Sequence, residues 1–152
     1  MANVIRKVIG TSDSAAATVL RLALGIVMFA HGAQKALGWF GGYGIEGTMG
    51  FLTQTIGLPW LVAALVIVIE LFGSLALILG VLTRPAALGI AAVMVGAVAT
   101  VHAKVGFFMD WNGQIAGEGF EFHILAVAMA VALLLLGGGA FSIDRALTRK
   151  AR

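Results

Sequence analysis

Cysteine is absent from the 152 residues. That excludes a disulfide relay, a CxxC thiol centre, a thiolate-held iron–sulfur cluster and c-type haem attachment. Charge is scarce as well: 11% of residues are charged, 61% are hydrophobic and the mean hydropathy is +1.04. A soluble domain is ordinarily ~25% charged and ~45–50% apolar. So few charges cannot cover so much apolar surface, and the expected solvent is the lipid bilayer. No basic cluster stands beside stackable aromatics in a polar segment. The net charge of +3 therefore speaks of membrane topology and not of nucleic-acid binding. No flavin, haem or cluster motif is present, and no tight ligand spacing announces a metal. The first apolar run follows Arg6 and Lys7 as a signal peptide would, but it is too long and lacks a convincing small-residue cleavage site. It reads as a retained span.

A membrane-crossing helix needs ~20 mostly apolar residues. Four stretches answer to that, at about 17–37, 60–82, 86–104 and 121–137. The expected fold is all-α: a four-transmembrane-helix bundle over 15–140, a short N-terminal segment 1–14, and a basic tail 141–152. Pro85 suits a helix start, where no backbone donor is lost, leaving Thr83 and Arg84 as a tight hairpin. Of the ten Lys and Arg residues, only Lys35 and Lys104 lie toward one face. The others (Arg6, Lys7, Arg21, Arg84, Arg145, Arg149, Lys150 and Arg152) gather at the opposite face, so both termini are expected in the cytoplasm. Arg21 lies close enough to the inner interface to snorkel to it. Trp39, Phe40, Tyr43, Trp60, Phe107, Phe108 and Trp111 stud the two external connections as interface anchors. Ile45, Met49, Leu52 and Ile56 recur at helical spacing, which predicts a short interfacial helix on the outer surface. Ser142 suits an N-cap for a short tail helix. Glycines seven apart (Gly25 and Gly32, Gly73 and Gly80, Gly89 and Gly96) fit close-contact seams between helices.

Set into these apolar runs are groups that hydrocarbon tolerates poorly, at ~2.5–3.5 kcal/mol per central charge. His31 and Lys35 are four apart and share a helical face. At 1.5 Å per residue they lie ~10 and ~4 Å below the outer interface, and Glu70 on the returning span lies ~15 Å down. A lysine stem reaches inward as well as outward, so Glu70 is expected to pair with Lys35, His31 or both. His102 ends the third run. Glu121 and His123 open the fourth and, two residues apart, point in nearly opposite directions; one faces the bundle and the other the loop layer. Asp110 and Glu118 read as solvated or capping residues. A metal held by His102, His31 and a carboxylate lacks any supporting spacing. A b-type haem between His31 and His102 has the same weakness.

Several of these segments, taken in order, resemble the DoxX family of bacterial membrane proteins. They are Leu20-Arg21-Leu22, His31-Gly-Ala-Gln-Lys35, Glu46-Gly47, Glu70-Leu-Phe-Gly73, Thr83-Arg84 and Gly117-Glu-Gly-Phe-Glu-Phe-His123. The resemblance runs over about residues 15–145. It implies a four-helix protein of the bacterial inner membrane, associated with quinone-linked redox and thiol-stress complexes. Without cysteine, this chain cannot itself handle thiols covalently.

The expected function is a membrane subunit of a redox system that binds a quinone or similar apolar small molecule near the outer leaflet. Glu70 and His31 are the candidate catalytic groups, the former exchanging a proton. Lys35, Gln34, His102, Glu121 and His123 are candidate ligand-binding groups, with His31 or His102 bonding a quinone carbonyl. Electrons would arrive from a soluble or membrane redox partner. Four spans enclose little volume, which a homodimer would remedy. Two rival readings remain: a non-enzymatic scaffold or assembly subunit, and a small proton-coupled transporter.

Overall fold

The computed structural model describes residues 8–114 and 117–150; Arg6, Lys7 and Arg152, read above as topology charges, lie outside the described residues. All regular elements among the described residues are helical. Helix α1 (Ala15–Leu37) begins where the Ser14 hydroxyl accepts the Ala17 N–H at 3.2 Å, and it ends on left-handed Gly38. Helix α2 (Gly44–Gly50) runs into a wide π turn over Phe51–Thr55. It is held to the end of α1 by the Thr48 hydroxyl, which donates to the Lys35 carbonyl at 3.2 Å. Helix α3 (Trp60–Leu79) follows Pro59 and stops at left-handed Gly80. Then come α4 (Thr83–Thr100), α5 (Glu121–Leu136) and the tail helix α6 (Ile143–Lys150).

Three of these helices, α1, α3 and α4, are long and apolar enough to cross a membrane. Helix α5 is equally apolar but has 16 residues, about 24 Å at 1.5 Å per residue. Helix α1 packs on α3 and α5, while α4 packs on α5 and on the middle of α3. Leu24, Met28, Leu77, Ile90, Met94 and Leu133 fill the shared core. Bulky residues such as Leu61, Phe72, Leu88, Leu125 and Leu135 stand exposed on the outside, the pattern of a surface solvated by lipid rather than water.

Two boundaries differ from expectation, for physical reasons. The turn between α3 and α4 occupies Gly80–Leu82, and Thr83 and Arg84 are already helical. Asp144, at the start of α6, moves that boundary. Its carboxylate accepts the backbone N–H groups of Leu82 (2.8 Å) and Thr83 (2.9 Å), capping α4 from a residue some sixty positions away. Because two orphan donors depend on it, Asp144→Ala should cost ~1–2 kcal/mol. Thermal unfolding in detergent should register this as a lower midpoint, with Asp144→Asn falling less. At the far end α4 stops at Thr100, short of the predicted 104, and His102–Lys104 form a separate 3-10 turn.

Arg21 corrects a second expectation. It does not snorkel: it is 1% exposed. Its Nε donates to the Gly138 carbonyl at 3.0 Å and its Nη2 to the Phe141 carbonyl at 2.9 Å, while Nη1 serves the carbonyls of Leu77 and Ile78. The last carbonyls of a helix have no partner within it. Arg21, with five fixed donors, satisfies the end of α3 and the chain after α5 together. Arg84 does the same on a smaller scale, donating to the Leu135 carbonyl at 3.2 Å, and Arg145 pairs with Asp13.

The glycine spacing resolves unevenly. A Cβ on Gly25 would lie 2.9 Å from Ile78, and one on Gly32 would lie 2.7 Å from the backbone of Leu71, so this pair forms a close seam between α1 and α3. Gly89 meets Ile69, while among the described residues nothing approaches Gly96 within 4 Å.

Candidate functional site

The Gly25–Gly32 seam brings the last turns of α1 against the middle of α3, where regular α-helix gives way to a π turn at Ile69–Gly73. Such turns open one residue's worth of slack in the helix and are frequent at functional sites. Glu70 lies in that turn, 3% exposed, and its Oε2 accepts from Lys35 Nζ at 2.7 Å. Lys35 is the more accessible partner, at 28%. A carboxylate this deep in an apolar helix is stabilised by such a pairing.

The α4–α5 side supplies imidazoles. His102 stands in the 3-10 turn after α4 and His123 in the first turn of α5, with ring centroids 4.1 Å apart. His102 Nδ1 lies 2.7 Å from the Glu118 carbonyl. His123 is buried, and its Nδ1 has no hydrogen-bond partner among the described residues. Phe122 bridges the two halves, 5.8 Å from the His31 ring and 5.6 Å from that of His123.

Between these halves lies a cavity of about 680 Å³, walled mainly by apolar side chains of α1, α3, α4 and the π turn after α2. His31, Lys35, Glu70, His102 and His123 all line it. Small-molecule sites have this character: ~300–1,000 Å³, mostly apolar, with a few placed polar groups.

Two of the candidate residues lie elsewhere. Glu121 turns to the loop layer, its Oε1 accepting from the Met109 N–H (3.0 Å) and from Trp111 Nε1 (3.2 Å). Gln34 spends its amide on the Phe40 carbonyl at 3.3 Å. Neither lines the cavity: the two-residue offset from His123 turns Glu121 away, whereas Gln34, on nearly the same face as His31, is drawn off by its bond to Phe40. Glu118 and Met109 do line it, although nothing in their spacing marks them; the loop folds them back. There the Glu118 carboxylate caps the Asp110 N–H at 2.8 Å. Among the described residues no group of three or more His, Asp and Glu side chains is arranged to hold a metal ion.

No solved structure matches the chain. A protein of Bacillus subtilis (strain 168) described as "Putative oxidoreductase CatD" is 31% identical over 126 residues, covering 83% of this chain and 82% of its own length. The DoxX family model matches residues 16–103, from the start of α1 to just past His102. The chain belongs to the DoxX family, and it is a membrane protein.

Proposed function

We propose that this protein is a membrane subunit of a redox system that holds a quinone or similar apolar small molecule in the cavity between α1, α3, α4 and α5. One observation carries the reading: an apolar chamber of about 680 Å³ with an ion pair and three histidines on its wall. The related Bacillus protein's description as an oxidoreductase agrees with it. In this reading α5 crosses the bilayer as a fourth span of the bacterial inner membrane, both termini lie in the cytoplasm, and α2 rests at the outer interface. His31 or His102 bonds a ring oxygen, Glu70 exchanges the proton that accompanies each electron, and Lys35 holds its charge. Electrons come from a partner protein.

The test is Glu70→Gln, which keeps the shape and removes the charge. A hydrogen bond to a charged group contributes ~1.5–3 kcal/mol, so binding of a reduced ubiquinone or menaquinone analogue, whose hydroxyl donates to the carboxylate, should weaken about tenfold or more on purified protein. Unchanged affinity and unchanged redox coupling would overturn the proposal. If only thermal stability fell, with partner activity following protein amount, the scaffold reading would replace it. Proton-coupled flux into proteoliposomes, abolished by His31 and Glu70 substitutions, would favour the transporter.

A further inference from the structure

A backbone carbonyl only accepts hydrogen bonds. The 2.7 Å contact of His102 Nδ1 with the Glu118 carbonyl therefore places a proton on Nδ1, and in the neutral ring Nε2 is left as a bare lone pair. No donor among the described residues meets that nitrogen, and the side chain lines the cavity. Its stacked neighbour His123 is 6% exposed, and its Nδ1 is buried without a partner among the described residues. Buried polar atoms are ordinarily satisfied, so the His123 nitrogen marks this end of the cavity as the one that receives a ligand's polar atom, beside the half-buried His102. On the opposite side one of the three ammonium protons of Lys35 goes to the Glu70 carboxylate. At the histidine end of the cavity the polar atom whose role is fixed is thus an acceptor, His102 Nε2.

Resting on the quinone-type reading above, we infer that the cavity selects the reduced, hydroxyl-bearing form of its ligand. That form is a lipid-soluble hydroquinone or phenol, whose O–H donates to His102 Nε2. A quinone offers only carbonyl oxygens, and against Nε2 these would set lone pair against lone pair. A site whose polar groups are built for a hydroxyl discriminates strongly against an analogue that lacks the donor. The Phe122 ring beside His31 and His123 gives the ligand ring an aromatic neighbour, and the α3 side chains Leu65, Val66 and Ile69 suit its apolar substituents.

The test is equilibrium dialysis of the detergent-solubilised full chain, under anaerobic reducing or oxidising conditions, with three probes that share one ring and a decyl tail. These are the hydroquinone, the quinone, and the hydroquinone dimethyl ether, which keeps the shape but has no O–H. The hydroquinone should bind at least about tenfold more tightly than either of the others. His102→Phe keeps a ring against His123 and removes the acceptor; it should erase the preference, with hydroquinone binding falling about tenfold. Nitrogen-15 NMR of labelled histidine should find His102 in the Nδ1–H tautomer. Equal or tighter binding of the quinone, equal binding of the ether, a preference that survives His102→Phe, or a proton on Nε2 would each overturn the inference. If that variant does not fold, the ether comparison on the unsubstituted chain still decides. Failure of all three probes to bind would remove the cavity reading itself, and the inference with it.

Discussion

Arg21→Met should leave little folded protein. The guanidinium is the common donor to four carbonyls, those of Leu77, Ile78, Gly138 and Phe141, and through them it ties the end of α3 to the chain that follows α5. Methionine fills much of the volume and donates nothing. Hydrogen bonds from a charged group contribute ~1.5–3 kcal/mol each, and a buried acceptor stripped of its partner costs ~1–3 kcal/mol. These terms are not additive, and bonds in membrane proteins average toward the lower end. Even so, a loss of at least about 3 kcal/mol is expected, against a total of ~5–15 kcal/mol for an ordinary domain. Arg21→Lys should recover only part of this, because a compact ammonium cannot reach four acceptors with a planar fork. The measurement is the yield and thermal midpoint of monodisperse protein in mild detergent. A methionine variant within two or three degrees of the unsubstituted protein would contradict the role assigned to Arg21. The same experiment separates packing from the site, since Arg21 does not line the cavity.

Arg21 also marks where the sequence stops being legible. A basic residue one turn inside an apolar run has the same pattern whether it reaches out to phosphate headgroups or in to helix-end carbonyls. Only the tertiary fold distinguishes the two, by leaving the Gly137–Phe141 segment beside α3. Asp144 illustrates the same point. In a basic tail it reads as an isolated charge, yet it caps α4 and shifts that helix's start by three residues. By contrast, the helices declare themselves through long apolar runs. The meeting of Lys35 with Glu70 follows from the cost of an unpaired charge in hydrocarbon together with matching depth on adjacent helices. The offset between Glu121 and His123 says that they diverge but not which one turns inward. That is decided by the pairing of the described residues 106–109 with 118–121, through bonds such as Glu121 N–H to Phe107 O at 2.9 Å. The π turn around Glu70 has no compositional mark: Ile-Glu-Leu-Phe-Gly is ordinary helical sequence, and the widened turn is packed against both α1 and α4.

Gly32→Ala should damage stability and the site together, by a route that leaves every polar residue in place. A Cβ at position 32 would lie 2.7 Å from the Cα and N of Leu71 and from the carbonyl carbon of Glu70. Those are backbone atoms in the middle of a helix, and they cannot rotate aside as a side chain would. Ordinary carbon contacts fall at ~3.5–4.0 Å, so α1 and α3 must separate by roughly 1 Å. Overpacking of this kind costs ~1–3 kcal/mol. The separation acts exactly where Lys35, three residues on, reaches Glu70, and it would stretch their 2.7 Å contact beyond hydrogen-bonding range. The expected result is a lower thermal midpoint and a loss of analogue affinity close to that of Glu70→Gln. Gly96→Ala is the matched control. It lies on the cavity wall with nothing within 4 Å of its added methyl, and replacing glycine by alanine within a helix stabilises by ~0.5–1 kcal/mol. Its midpoint should hold or rise while affinity changes only as far as a methyl group intrudes on the ligand. If Gly32→Ala matched Gly96→Ala in both measurements, close approach of α1 to α3 would not be what holds the ion pair together. The pair would then have to be positioned by the π turn alone.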